Sequence, residues 1–217
     1  MYKKISLFFI ILLFSLQTNA QAFINEIKAF RKADSIGNIP SNPILFIGSS
    51  SFTNWKDVGN YFPDYTILNR GFGGSSLPHL IMYADDILFK YNPKQIVIYC
   101  GENDLTGGIH ITSDSVLHRF IELYSLIRTR FPKIPIAYIS MKPSPSRTKL
   151  LTIMQEGNSK IQDFIEHQKR AKYINVYEPM LNLDGTMKPE IYRSDSLHMN
   201  SKGYEIWKKI IQPYLVK

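Results

Sequence analysis

Cysteine is almost absent from this chain, since Cys100 is the only one among 217 residues. An intrachain disulfide is therefore excluded. Cys100 ends an apolar run over residues 96–100, which predicts a buried structural thiol and not a catalytic nucleophile. No cysteine follows the apolar segment near the N-terminus, so an acceptor for bacterial-type lipid attachment is lacking as well.

Long hydrophobic runs are also missing. The longest covers residues 5–16, with Lys3 and Lys4 before it and small residues after it. Such a run is shorter than the ~20 residues that span a bilayer. The pattern predicts a signal peptide over residues 1–22, cleaved after Ala20 or Ala22, with a membrane anchor as the alternative. We expect an exported protein, periplasmic or secreted, without stable membrane insertion after cleavage.

The chain has no block of like charge, no repeat and no linker. It carries 26 Lys and Arg against 18 Asp and Glu, a net charge of +8 that falls by two without Lys3 and Lys4. The basic residues are scattered and no recognition module is present, so nucleic acid is not an expected partner. No cluster has metal-ligand spacing, and neither metal nor cofactor is expected. Residues 23–217 should form a single domain.

Short apolar runs alternate with segments of helical periodicity. The runs are short and continuously apolar, which suits strands that are covered on both faces. This alternation predicts an α/β fold, a three-layer α/β/α sandwich of flavodoxin-like type with about five mostly parallel strands. The predicted strands cover residues 44–47, 66–69, 96–100, 136–140 and 173–176. The predicted helices cover residues 23–33, 77–91, 113–131, 147–170 with a break near Gly157, and a last helix from 201.

Polar clusters follow the predicted strands, where ligands bind in such sheets. They are Gly48-Ser49-Ser50-Ser51, residues 69–74 and residues 101–104, and an Asp195-x-x-His198 pair lies near the end of the chain. A hydroxyl needs a base to become a nucleophile, and the base works best when a third group orients it. The alternatives are a serine-rich helix cap for the first cluster and a phosphate-binding loop for the second. The second cluster lacks the P-loop lysine. We interpret the pattern as a serine esterase.

These clusters, in this order, resemble the four blocks of the SGNH hydrolases, also called the GDSL esterase/lipase family. The resemblance extends from about residue 44 to 214. It implies that Ser50 is the nucleophile, with Asp195 and His198 completing a triad. It also implies that the backbone N–H groups of Ser50 and Gly74 and the side chain of Asn103 form the oxyanion hole, while Asp104 braces its loop.

One position departs from the family pattern. Ser49 stands where the family usually has Asp, which leaves three adjacent hydroxyls as candidates for the nucleophile. The candidate substrate contacts are Ser49, His79, Lys142 and Arg147. They lie in or near the loops that follow the predicted strands, and we call this edge of the sheet the rim.

The resemblance implies a carboxylic ester hydrolase, of a branch like the platelet-activating-factor acetylhydrolases or the carbohydrate acetylesterases. A compact chain without a lid-sized insertion favours short acyl groups, such as O-acetyl groups on carbohydrate, and a small-molecule or glycan ester as partner. A lysophospholipase or lipase of the same family is the first alternative. An inactive exported glycan-binding protein is the second, and Ser49 is the feature that supports it.

Overall fold

The computed structural model of the chain describes residues 23–37, 39–108 and 110–217, so the predicted signal peptide lies outside the described residues. Every helix in this part is too short or too polar to cross a membrane. The elements are α1 (Ile24–Ile36), β1 (Ile44–Gly48), α2 (Ser50–Thr53), α3 (Val58–Tyr61), β2 (Ile67–Gly71), α4 (Leu77–Met82), β3 (Gln95–Tyr99), α5 (Ser113–Arg130), β4 (Ile136–Ile139), α6 (Leu151–Glu166), β5 (Ala171–Ile174) and α7 (Ser201–Ile211). A π-helical turn (Asp85–Phe89) and five 3-10 turns (Asp104–Thr106, Pro145–Leu150, Glu178–Met180, Pro189–Ile191 and Gln212–Tyr214) complete them.

The five strands form one parallel sheet in the order β2-β1-β3-β4-β5. This is the flavodoxin-like order, and the predicted fold class is confirmed. Ile44 of β1 pairs with Ile67 of β2 on one side and with Gln95 of β3 on the other. The chain leaves β1 towards β2 and later resumes on the opposite side with β3. A crevice for ligands is therefore expected where the carboxyl ends of β1 and β3 diverge.

Two hydrophobic cores lie on the two faces of the sheet. Leu45 and Ile47 of β1 face the core built with α1, α4, α5 and α6. Ile44 and Phe46 face the other core, which contains residues of α2, α3 and α7. Successive side chains of a strand point to opposite faces, and both faces are covered here. The inner strands therefore read as continuous apolar runs in the sequence.

The last strand begins two residues earlier than predicted. It covers Ala171–Ile174 at the edge of the sheet, and Lys172 is exposed to solvent. An edge strand is covered less completely than an inner one, so its apolar pattern is interrupted. The prediction followed the more apolar residues 173–176 and was displaced along the chain for that reason.

Two predicted helices also differ in detail. The segment 147–170 begins as a 3-10 turn over Pro145–Leu150, and only Leu151–Glu166 is α-helical. The expected break near Gly157 is wrong, because this glycine is buried within α6 and a Cβ there would lie 3.0 Å from Met141 Cε. Gly157 thus permits close packing. The segment 77–91 divides into α4 and the π-helical turn, which an apolar stripe alone does not distinguish from one helix.

Candidate active site

The predicted site residues come from four separate parts of the chain. Ser50 is the first residue of α2, directly after β1, while Gly74 follows β2 and Asn103 follows β3. Asp195 and His198 lie in the segment between the 3-10 turn Pro189–Ile191 and α7. The hydrogen bonds described below bring Ser50, Asp195 and His198 into one chain of contacts, and Asn103 into contact with Ser49, the neighbour of Ser50.

Ser50, His198 and Asp195 form a continuous hydrogen-bonded chain. His198 Nε2 lies 3.0 Å from Ser50 Oγ, and His198 Nδ1 lies 2.6 Å from Asp195 Oδ2. Hydrogen bonds hold the pKa of Asp195 well below its ordinary value. The bond from the His198 ring contributes most, and the bonds from two backbone N–H groups add to it. The carboxyl therefore stays ionised at neutral pH. It fixes the tautomer that leaves Nε2 free to accept a proton from the Ser50 hydroxyl.

The loop that carries the imidazole is closed by its own backbone. Arg193 N donates to His198 O at 2.8 Å, and Ser196, with a φ of +57°, donates its N–H to Arg193 O at 2.9 Å. Asp195 Oδ1 accepts from the N–H groups of Leu197 and His198, each at 2.9 Å. One carboxylate thus orders both the loop and the imidazole ring, which fixes the ring relative to Ser50.

The three adjacent serines occupy different environments. Ser49 and Ser51 are buried, whereas Ser50 is half-buried and is the one that contacts the imidazole. The turn before them depends on Gly48, whose φ is +153°. A Cβ at Gly48 would lie 2.0 Å from the Tyr99 carbonyl oxygen, so only glycine allows this close approach of β1 to β3.

Asn103 is held against the serine turn by its side-chain amide. Its Nδ2 donates to Ser49 Oγ at 2.7 Å and to Ser75 O at 3.0 Å. Gly73 packs beside Ser50, since a Cβ on Gly73 would lie 3.9 Å from Ser50 Cβ, and Gly74 follows with a φ of +81°. Within the described residues, the backbone N–H groups of Ser50 and Gly74 donate to no protein acceptor. Free donors beside a hydroxyl are what a developing oxyanion requires.

Asp104 connects the loop after β3 to the loop after β2. Its buried carboxylate accepts from Leu77 N, at the start of α4, and from Arg119 Nη1 of α5, both at 3.0 Å. Burial raises the pKa of this carboxyl, against the hydrogen bonds from Leu77 and Arg119. Asp104 therefore braces the loop that carries Asn103, as its position in the sequence suggested.

The candidate substrate contacts have different surroundings. Lys142 is 1% exposed, and its Nζ lies 3.2 Å from Glu102 Oε2. Lys142 therefore does not line the open rim, and its expected contact with substrate is corrected. His79 is half-buried and its Nδ1 accepts from Ser76 N in a capping box at the start of α4. The hydroxyl of Ser49 accepts a hydrogen bond from the Asn103 side chain. Arg147 lies at the rim, where its Nη2 is 3.4 Å from Asn103 Oδ1.

Sequence reasoning missed three residues of this site. Glu102 neutralises Lys142, and its place between Gly101 and Asn103 was the available signal. Arg193 lies two residues before Asp195 and contacts Asn54 Oδ1 at 3.3 Å. Phe23 packs edge-on against the His79 ring, with 4.8 Å between ring centroids, and no sequence motif marks it.

A small cleft opens beside Ser50. Its walls include the serine turn, the segment from Tyr99 to Asn103, and Leu197. Among the described residues, no group of three or more His, Cys, Asp or Glu side chains comes together to hold a metal ion. A hydroxyl, an imidazole and a carboxylate in hydrogen-bonded order are suited to acyl transfer. Fold and site together indicate a hydrolase that works by acyl transfer on a flavodoxin-like sheet.

A model of the GDSL-like lipase/acylhydrolase family matches residues 34–206, which is most of the chain. The protein therefore belongs to this family of acylhydrolases. No curated protein sequence resembles the chain closely enough to count as a match.

Solved structures share the fold at low sequence identity. A Streptococcus pneumonia structure, provisionally described as a platelet activating factor, is 22% identical, with a TM-score of 0.76 over 94% of this chain and 99% of that one. A GDSL-like lipase from Bacteroides thetaiotaomicron is 20% identical, with a TM-score of 0.73 over 86% and 95%. An acetyl-xylooligosaccharide esterase from Geobacillus Stearmophilus, solved as a mutant, is 15% identical, with a TM-score of 0.63 over 82% and 96%. At these identities the likeness extends to the fold alone.

Proposed function

We propose that this protein is an exported serine esterase that removes short acyl groups, above all O-acetyl groups on carbohydrate, through an acyl-enzyme. The observation that carries the proposal is the 3.0 Å approach of His198 Nε2 to Ser50 Oγ, with Asp195 on the other ring nitrogen. His198 takes the hydroxyl proton as Ser50 attacks the ester carbonyl, and returns it to the leaving alcohol. Water, with His198 as its base, then attacks the carbonyl of the acyl-enzyme. The carboxylic acid leaves and the free serine is regenerated.

The negative charge of the tetrahedral intermediate forms beside the turn between β1 and α2. The N–H groups of Ser50 and Gly74 supply two donors, and Asn103 Nδ2 supplies the third. Both hydrogens of that amide already have acceptors, Ser49 Oγ and Ser75 O. One of these bonds must be shared or exchanged as the oxyanion develops. The stronger acceptor in the transition state is the oxyanion itself, which gives the differential binding that catalysis needs.

The size of the site supports a short acyl group. The cleft beside Ser50 is small, and five of the nine residues that line it are serine, cysteine or glycine. Two structural neighbours are described as an acetyl-xylooligosaccharide esterase and as a family 3 carbohydrate esterase from Clostridium thermocellum. These descriptions support the choice of acetylated carbohydrate as the substrate class.

Hydrolysis of p-nitrophenyl esters from two to twelve carbons tests the proposal. We expect the highest kcat/KM on acetate, and a fall of about 10⁴-fold or more in Ser50→Ala, because the nucleophile is removed. Ser159→Ala, which alters an exposed serine of α6 outside the site, is the matched control and should retain wild-type turnover. Wild-type turnover in Ser50→Ala would contradict the serine mechanism.

A lipase or lysophospholipase is the second candidate, and one surface favours it. An open groove lies between residues 105–108 and Ile111 on one side and the start of α6 on the other, with an apolar floor made by Leu105, Ile111, Leu150 and Ile153. The residues on its two sides come shortly after Asn103 and after Arg147 in the sequence, and we infer from this that a longer acyl chain leaving the site would reach the groove. A chain-length series that peaks at eight carbons or more would favour this candidate over the acetylesterase.

An inactive glycan-binding protein is the candidate from a different class. The engagement of both Asn103 amide hydrogens by Ser49 Oγ and Ser75 O favours it, because the third oxyanion donor is not free. Binding of an acetylated glycan in a calorimeter, without release of acetate, would support this candidate and overturn the esterase.

The proposal of export rests on the sequence of residues 1–22. Expression of the full chain in a bacterial host, followed by intact mass measurement, should give a product that begins at Gln21 or Phe23. A product that retains residues 1–22 would contradict cleavage.

A further inference from the structure

The loop after β4 is tied to the loop that carries His198. The Tyr192 hydroxyl donates to Pro143 O at 2.5 Å, and Ser146 N donates to Ser196 O at 3.0 Å. Arg147 N in turn donates to Ser144 O at 2.9 Å. The backbone of Arg147 is therefore fixed relative to the imidazole, and its side chain is presented to the site by a preorganised loop.

Arg147 carries a charge that no acidic side chain balances. Its Nη2 lies 3.4 Å from Asn103 Oδ1, and no carboxylate of the described residues approaches it within ion-pair distance. Asp195 takes its hydrogen bonds from His198 and the backbone and not from this arginine. The neighbouring cation Lys142 is already neutralised by Glu102.

Three other arginines of the fold have acidic partners, whereas the side chain of Arg193, like that of Arg147, contacts an asparagine oxygen. Arg31, Arg70 and Arg119 each contact an aspartate, at Asp86, Asp34 and Asp104 respectively. Arg147 is half-buried and lies beside Asn103, whose amide we place in the oxyanion hole. It donates one of its five N–H groups to the oxygen of that amide. A half-buried guanidinium with donors to spare, next to the reacting centre, is suited to bind an anion of the substrate.

We propose that Arg147 binds a carboxylate group of the substrate, so that the preferred ester is an O-acetyl group on an acidic sugar. This inference rests on the proposed esterase function and adds the charge of the substrate to it. The planar guanidinium matches a carboxylate through two parallel hydrogen bonds, which a neutral sugar hydroxyl cannot reproduce. Because Arg147 contacts Asn103, the bound carboxylate lies on the same sugar residue as the ester or on its immediate neighbour.

A matched pair of substrates tests the inference. Acetylated methyl glucuronoside and acetylated methyl glucoside differ only in a carboxylate against a hydroxymethyl group. We expect the wild-type kcat/KM to favour the acid by about tenfold to a hundredfold, the contribution of a charge-assisted hydrogen bond. In Arg147→Gln this ratio should fall to about one. Lys149→Gln, which removes an exposed positive charge two residues further along, is the matched control and should keep the ratio.

Two results would overturn the inference. The first is a wild-type ratio near one. The second is an unchanged ratio in Arg147→Gln, and if both substrates then lose activity equally, Arg147 is only a support for Asn103. Hydrolysis of p-nitrophenyl acetate, abolished by Ser50→Ala, is measured in parallel. If that activity is present and the preference is absent, this inference alone fails. If both are absent, the proposed function fails.

Discussion

The hydrogen bond between Ser49 and Asn103 leads to a prediction about how the oxyanion donor is positioned. Ser49 is 5% exposed, and its Oγ lies 2.7 Å from Asn103 Nδ2. Ser49→Ala removes this acceptor, while Ser75 O at 3.0 Å and Arg147 Nη2 at 3.4 Å still hold the amide. The amide would then be oriented by two contacts in place of three.

The magnitude follows from the bonds involved. A neutral hydrogen bond contributes about 0.5–1.5 kcal/mol net, so Ser49→Ala should lower kcat by about twofold to tenfold. Asn103→Ala removes the donor itself and should cost about 10²–10³ in kcat. If Ser49 acts only through Asn103, adding Ser49→Ala to Asn103→Ala should cause no further loss.

A double-mutant cycle on p-nitrophenyl acetate measures both effects, with kcat and KM determined separately for all four proteins. Urea unfolding of each protein checks that the changes in rate do not arise from a loss of folded enzyme. An equal loss from Ser49→Ala in both backgrounds would refute positioning through Asn103, and would show that the serine contacts the substrate directly.

Three further predictions concern folding and charge. Gly48→Ala places a Cβ on the Tyr99 carbonyl oxygen and should destabilise the fold by about 3 kcal/mol or more, measured by urea unfolding; a loss below 1 kcal/mol would contradict the packing argument. Asp195→Asn should lower kcat by about 10⁴-fold. Kinetics on p-nitrophenyl acetate measure this loss, and a fall of less than about tenfold would contradict the role of the carboxylate, whose pKa the hydrogen bonds hold below its ordinary value. Lys142→Met leaves the Glu102 carboxylate buried and unpaired and should cost about 3–5 kcal/mol in urea unfolding; adding Glu102→Gln should restore part of it, and no restoration would exclude the charge as the cause.

The sheet could be predicted from the sequence because its inner strands are buried on both faces. Four of the five apolar runs begin within one residue of the starts of β1 to β4. The fifth was displaced because β5 lies at the edge and exposes Lys172. The π-helical turn at Asp85–Phe89 could not be predicted, since it keeps the same apolar stripe as an α-helix.

The site residues could be predicted from the order of the motifs along the chain, whereas the surroundings of these residues became known only from the three-dimensional arrangement. Lys142 looked like a rim residue because it follows β4, yet its partner Glu102 lies 40 positions earlier and no local pattern connects them. The contact between Ser49 and Asn103 joins residues 54 positions apart, and no local sequence pattern predicts it either. Pairings of this kind depend on which strands become neighbours, so a reading of local periodicity does not reach them.

The contact between Ser50 and His198 joins residues 148 positions apart. The nucleophile belongs to the first strand–helix turn of the sheet, whereas its base follows the last strand. Closing so large a loop is among the later and entropically costlier events of folding. Partly folded chains that lack the docked C-terminal segment therefore have no paired nucleophile and base. Ester hydrolysis during refolding would serve as a clock for the final assembly step, which spectroscopic signals from the helices do not isolate.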